Sequence, residues 1–107
     1  MGKNREFVYV WEYRVRPDRI EEFLKAYGPE GDWVRLFRKA GGHLSTDLLE
    51  SSEDPLRFLT VDRWESKDAR DEFRDAFDAE FTELDARCEG FTEEENFLGD
   101  FEAVRER

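Results

Sequence analysis

The stretch AGGHLSTDLL, residues 40–49, carries the only histidine of the chain, His43. An imidazole changes charge near neutral pH, which makes histidine the commonest general base in sites that move a proton. Polar side chains that could share such work are Asp47 four residues on, Asp62 and Arg63 further along, and Tyr9 and Tyr13 near the start. Orientation decides whether an imidazole is used. Four residues along one strand span about 13 Å, so Asp47 is out of reach and only a partner from a neighbouring strand could hold the ring. His43 is therefore either a general base or a strand-end histidine without a chemical part. No acidic neighbour at a suitable sequence spacing orients it, which favours the second reading. Trp11 and Trp64 could stack on a flat ligand, although aromatics that alternate along a buried strand also make ordinary core. Arg63 could hold a carboxylate or a phenolate, or pair at the surface with Asp62 or Glu65. Cys88 lacks a neighbouring histidine and reads as a small buried apolar residue.

Other chemistries are disfavoured by residue type. One histidine and one cysteine do not furnish the usual zinc ligand sets, and the run Glu93–Glu95 reads as acidic residues at a helix start. GPEG at 28–31 lies between two helical patterns, so it is not the strand-to-helix loop that cradles a phosphate. No metal and no cofactor are expected. With 17 basic residues against 28 acidic ones the formal charge is −11, which repels nucleic acid and anionic membranes. That acidity reads as solubility or adaptation to high salt, and less readily as a site for a basic partner. A lone cysteine forms no intramolecular disulfide, and no apolar run reaches the length of a signal peptide or a membrane span. A cytoplasmic protein is the expectation, folded as one domain over residues 1–107 with a core at about 7–104. Sixteen aromatic residues supply the apolar surface for that core despite 42% charged residues.

The elements follow from periodicity. FVYVWEYRVR, residues 7–16, alternates and predicts a strand with Phe7, Tyr9, Trp11, Tyr13 and Val15 on one face. After Pro17, the spacing of Ile20, Phe23, Leu24 and Tyr27 predicts an amphipathic helix; Trp33, Leu36, Phe37 and Ala40 predict a second, capped by Asp32 and stopped by Gly41 and Gly42. Residues 43–50 read as a strand with Leu44, Thr46 and Leu48 on one face and His43, Ser45, Asp47 and Leu49 on the other. SSEDP turns the chain into a third strand at 57–65. A long helix opening at Ser66 or Asp68 carries the stripe Ala69, Phe73, Ala76, Phe77, Phe81, Leu84 and Cys88. Thr92 with Glu95 has the pattern of a capping box for a helical turn, followed by a last strand at 96–104. The order β, α, α, β, β, α, β is that of an α+β, ferredoxin-like split βαβ fold: a four-stranded antiparallel sheet with its helices on one face. Val8 and Val10 on strand one, and Leu59 and Val61 on strand three, make the other face apolar too. A second copy of the chain is the simplest cover, and a homodimer is expected.

The segments YRVRPDRIEEFL and AGGHLSTDLLESSEDPLRFLTVDRWES, and the pattern W-E-S-x-x-A-x-x-x-F at the start of the long helix, resemble the antibiotic biosynthesis monooxygenase family of dimeric α/β barrels. The resemblance spans roughly Phe7 to Val104, and YGPEGDW places it nearest a subgroup without a settled activity. Trp64, Ser66 and Ala69 belong to helix-start and packing positions in that family, so they carry no catalytic implication. In the haem-degrading branch the site is built by an asparagine, a tryptophan and a histidine. The matching positions are approximately Trp11, Phe73 and Glu83, so the axial ligand is missing. The cofactor-independent, quinone-forming branch uses an aromatic pocket with a few polar groups. That resemblance implies a cofactor-independent monooxygenase or isomerase with a pocket for a small aromatic or polyketide-like molecule between sheet and helices, lined by Trp11, Tyr13, Asp62, Trp64 and Phe73, with His43 as the candidate catalytic group. The alternative is a non-catalytic dimeric barrel that binds a small ligand or serves as structure.

Overall fold

The computed structural model describes residues 5–104; the ends of the expected domain, 1–4 and 105–107, lie outside the described residues. Four strands form one antiparallel sheet: β1 (Phe7–Val15), β2 (His43–Glu50), β3 (Arg57–Trp64) and β4 (Thr92–Glu102), in the order β2-β3-β1-β4. Four helices, α1 (Ile20–Tyr27), α2 (Asp32–Arg38), α3 (Lys67–Ala76) and α4 (Asp78–Cys88), lie against one face of it. This is the ferredoxin-like arrangement, and within one chain the sheet stays open, with β2 and β4 at its edges.

Alternation fixes which side chains meet the helices. Phe7, Tyr9, Tyr13 and Val15 of β1 and Phe58, Thr60, Asp62 and Trp64 of β3 are buried there, facing Phe23 and Tyr27 of α1, Trp33, Leu36 and Phe37 of α2, Phe73 of α3 and Leu84 and Cys88 of α4. The rings form a connected layer. Phe23 stacks on Tyr27 at 4.5 Å, Tyr27 meets Trp33 at 6.1 Å, Trp33 meets Phe81 edge-on at 5.0 Å, and Phe37 meets Trp64 at 5.5 Å. Such tilted and edge-on pairs are the geometries aromatic quadrupoles favour.

Four local expectations change, the smallest being that Asp32 is the first residue of α2, with Gly31 at the cap, and makes no capping hydrogen bond. The long helix is two helices that meet at Phe77, whose φ of −115° leaves the helical region. The continuous apolar stripe gave no sign of this, because neither Gly nor Pro stands at the break, and Ala76 of that stripe is exposed. Thr92–Glu95 is not a helical turn. Thr92 does bond to Glu95, at 2.9 Å, but both belong to β4, whose pairing with β1 runs from Thr92 opposite Val15 to Glu102 opposite Phe7. Tertiary strand pairing overrides the local capping pattern. The last change concerns β2. Its pairing with β3 slips by one residue between His43 and Ser45, so Leu44 is the extra residue of a β-bulge. His43 consequently stands opposite Trp64 and shares a face with Thr46, where strict alternation places the two on opposite faces.

Gly41 and Gly42 set the start of that bulged strand. Gly41 has φ +86°, the left-handed region that glycine adopts without steric cost. Gly42 packs so closely on α3 that a Cβ on it would lie 2.7 Å from the Cβ of Ala69, and its carbonyl accepts from the Glu65 amide at 2.9 Å. Among the described residues no helix lies over the opposite face of the sheet. Val8, Val10, Leu59 and Val61 are only partly buried there, and at its margins Leu49 is 49% and Phe101 54% exposed.

Trp64 is fully buried between Phe37, Phe73 and His43, with ring centroids 5.1 to 5.5 Å away. Trp64→Ala is expected to lower unfolding stability by about 3 to 5 kcal/mol, because the surrounding rings relax only partly into the space left. Chemical denaturation with an unchanged m-value and a lower midpoint is the expected result.

Candidate functional site

Between the sheet and the helices the aromatic layer leaves a cavity of about 270 Å³. Its sheet side is Tyr9, Trp11 and Tyr13 of β1, Thr60 and Asp62 of β3, Thr46 of β2 and Glu95 of β4. Tyr27 of α1, Trp33 and Phe37 of α2, and Phe81 and Asp85 of α4 close the helix side. Asp85 and Glu95 are exposed residues, which places the open end of the cavity beside them, whereas Asp62 is 5% exposed and lies at the inner end. Trp11, Tyr13 and Asp62 therefore line the cavity. Trp64 and Phe73 do not: both are locked in the core, and Phe73 spends its ring on Phe37, Trp64 and Phe77.

Asp62 is the unusual group. One oxygen accepts a hydrogen bond from the Thr46 hydroxyl at 2.6 Å, and among the described residues no cation pairs with the carboxylate. Burial disfavours the charged form, and its pKa is pushed up to about 7, with Asp47 adding to the shift and the Thr46 hydrogen bond opposing it. A carboxyl poised there can take or give a proton at neutral pH. The tyrosines behave differently. Burial raises Tyr9, Tyr13 and Tyr27 above the usual phenol range, so their hydroxyls stay neutral, and the Tyr13 hydroxyl shares a hydrogen bond with Thr60 at 3.2 Å. The indole N–H of Trp33 is buried without a hydrogen-bond partner among the described residues and belongs to a ring on the cavity wall.

His43 does not line the cavity, yet it is joined to it. Its Nε2 lies 2.8 Å from the Thr46 hydroxyl. Thr46 has one proton, and with Asp62 ionised that proton goes to the carboxylate, so His43 Nε2–H donates to Thr46. With Asp62 protonated the chain reverses: Asp62 donates to Thr46, and Thr46 donates to a bare Nε2. Burial, and then Arg38, lower the His43 pKa, which keeps the ring neutral in either arrangement at pH 7. The expectation that nothing acidic orients this ring is thus corrected. Asp47 is indeed on the other sheet face, opposite Val61, and the orienting carboxylate reaches His43 through a hydroxyl from the adjacent strand. Thr46 was missed because it has no chemistry of its own to attract attention. The hairpin carries its signal: pairing Glu50 with Phe58 across the SSEDP turn puts Thr46 opposite Asp62. Asp85, Glu95, Trp33 and Phe81 converge on the same space from distant segments and leave no local mark in the sequence. Among the described residues no group of three or more His, Cys, Asp or Glu is placed to hold a metal ion. No helix among them is long and apolar enough to cross a membrane.

A family model for antibiotic biosynthesis monooxygenases matches residues 7–84. The chain belongs to this family. No curated protein matches the sequence. Several solved structures share the fold. SnoaB from Streptomyces nogalater, a cofactor-independent oxygenase, superposes with a TM-score of 0.73 at 19% identity, over 95% of this chain and 96% of its own. A conserved protein from Methanosarcina mazei gives 0.75 at 14% identity over 92% and 93%, and a protein from Mycobacterium tuberculosis gives 0.73 at 18% over 94% and 97%. At these identities the likeness is one of fold. Family membership places the chain among monooxygenase-like proteins, while its cavity chemistry has to be read from its own residues.

Asp62 also ties stability to pH. Its folded pKa lies above the unfolded value, so the stability linked to this group is complete below about pH 4 and falls as pH rises to about 7. Asp62→Asn, which keeps the shape and cannot ionise, is expected to be more stable than the parent by about 2 to 4 kcal/mol at pH 8, and to show little difference near pH 4. Urea melts of both proteins at the two pH values test this; equal midpoints at pH 8 contradict it.

Proposed function

We propose that this protein is a cofactor-independent monooxygenase acting on a small aromatic or polyketide-like phenol held in the cavity between sheet and helices. The observation that supports this reading is Asp62: a carboxyl without a counter-ion among the described residues, at the inner end of an aromatic-walled cavity and joined to His43 by Thr46. Asp62 takes the proton of the phenol hydroxyl, which leaves an electron-rich ring anion between aromatic walls. Dioxygen is the oxidant. One of its atoms enters a ring carbon, and the other leaves as water with the hydrogen of that carbon and the hydroxyl hydrogen, giving a quinone. The Thr46 hydroxyl and the His43 imidazole pass the proton between the buried carboxyl and the outside, and the neutral tyrosine hydroxyls donate hydrogen bonds to oxygens of the bound molecule. His43 is in this scheme the outer end of a relay, and Asp62 is the base.

Oxygen uptake with a panel of quinols and polyketide phenols tests the reading. Asp62→Asn is expected to lower turnover by about 10² to 10⁴, and Thr46→Val and His43→Ala by about tenfold, since water can stand in for part of a relay. Wild-type turnover by Asp62→Asn, at a melting temperature no lower than the parent's, sinks the assignment of the base.

We further propose that the helix-free sheet face is covered by the same face of a second copy. Val8, Val10, Leu59 and Val61 form its centre, with Leu49 and Phe101 at its margins, and isologous pairing of one patch with itself is the commonest route to a closed dimer. Light scattering at micromolar concentration should give twice the chain mass, and Val10→Asp, which puts a charge at the centre of the patch, should shift the particle to a monomer. A parent protein that scatters as a monomer ends this proposal.

A further inference from the structure

We propose that the ligand of this cavity is a small organic cation: an aromatic body bearing a protonated amine or a quaternary ammonium, whose positive end lies toward Asp85 and Glu95. The inference rests on the cavity assigned above and narrows its substrate class. Three features carry it. The first is the charge of the lining. Asp62, Asp85 and Glu95 are its ionisable acids, and no Lys, Arg or His is among the lining residues. Two guanidiniums that lie over rings of the cavity wall are already engaged: Arg70 lies over Tyr9, and over Phe7, and pairs with Asp71, and Arg74 lies over Phe81 and pairs with Asp78. His43 is neutral and behind Thr46. An anionic ligand would enter a field of one sign with nothing to balance it.

The second feature is the wall. Tyr9, Trp11, Tyr13, Tyr27, Trp33, Phe37 and Phe81 present ring after ring to the space, and aromatic faces attract cations through their quadrupole. Phe81 and Asp85 are one helical turn apart on α4, and Tyr13 is paired with Glu95 across β1 and β4, so at the open end a carboxylate accompanies a ring on both sides. The third feature is Asp62 itself, more than nine-tenths buried, with its second oxygen free of any hydrogen-bond donor among the described residues. A bound cation raises the fraction of ionised Asp62 and Glu95 and supplies the charge that this end of the molecule lacks. The ligand's hydroxyl then points inward to Asp62, and its ammonium outward.

Three probes of similar shape and different charge test the inference: benzyltrimethylammonium, 2-methyl-1-phenylpropan-2-ol and phenylmethanesulfonate. Binding is measured by calorimetry and by tryptophan fluorescence in about 0.15 M salt, where the general negative charge of the surface is screened beyond about 8 Å. The ammonium is expected to bind one per chain and about tenfold tighter than the alcohol, with the sulfonate weakest. The double variant Asp85→Asn, Glu95→Gln, on exposed positions that leave the core intact, is expected to bring ammonium and alcohol within about twofold of each other. Equal or tighter binding of the alcohol or the sulfonate overturns the inference. So does an ammonium preference that survives the double variant, and so does failure of all three probes to bind at millimolar concentration. Oxygen uptake separates this from the reading it rests on: ammonium binding without turnover of amine-bearing phenols leaves the ligand class standing and removes the oxygenase, whereas turnover of neutral phenols without ammonium preference does the reverse.

Discussion

A carboxylate in an apolar interior has to find a counter-ion, find several hydrogen-bond donors, or give up its charge. Among the described residues Asp62 has one donor and no cation, and the architecture around it is arranged so that this stays true. It stands on β3, an inner strand, with β1 on one side and β2 on the other, under a roof of rings from α1, α2 and α4. Any basic residue on the helix-facing side of those strands would quench it. Neither lysine nor arginine occurs there among the described residues: apart from Asp62, β1 and β3 present aromatic, aliphatic and threonine side chains to that face, His43 of β2 reaches Asp62 only through Thr46, and Arg14, Arg57 and Arg63 fall on the other face. The alternation of strands β1 and β3 thus does more than separate core from surface. It segregates positive charge from the cavity.

The aromatic layer performs a related task by geometry. The large rings of this layer meet one another across the space between sheet and helices, and a void is left where small polar residues stand beneath them. Thr46, Thr60 and Asp62 are the small residues on this part of the sheet, and the void lies over them. Trp64 and Phe73, with Phe37, fill the neighbouring part solidly. One half of the layer is core in the plain sense, and the other is a container.

The fold was legible in the sequence because its signals are periodic. Alternation over Phe7–Arg16, helical spacing at Phe23 and Tyr27 and at Trp33 and Phe37, and a turn at SSEDP suffice for the order of elements and for a four-stranded antiparallel sheet. Misreadings came where contacts outside a segment decide its shape: Thr92–Glu95 is drawn into β4 by its pairing with β1, and the break at Phe77 has no local marker. Of the site, Trp11, Tyr13 and Asp62 were legible as polar or aromatic residues on the inward face. Trp64 lies on that same sheet face and Phe73 on the side of α3 that meets it, and only the packing of the rings tells a wall of the cavity from the interior beside it. The link from His43 through Thr46 was hidden for a sharper reason. Periodicity assumes an unbroken strand, and the strand is broken between the two residues.

That break bears on how relatives are compared. A bulge inserts one residue and reverses the facing of everything before it, so the distance along the chain between an imidazole and a hydroxyl that touch is three here and an even number in an unbulged strand. Two family members with a histidine and a threonine in this hairpin can then match letter for letter and differ in whether the two side chains meet. Conversely, a single-residue gap at position 44 in a relative marks a change of wiring between surface and interior, in a place where gaps are ordinarily put down to drift in loop length.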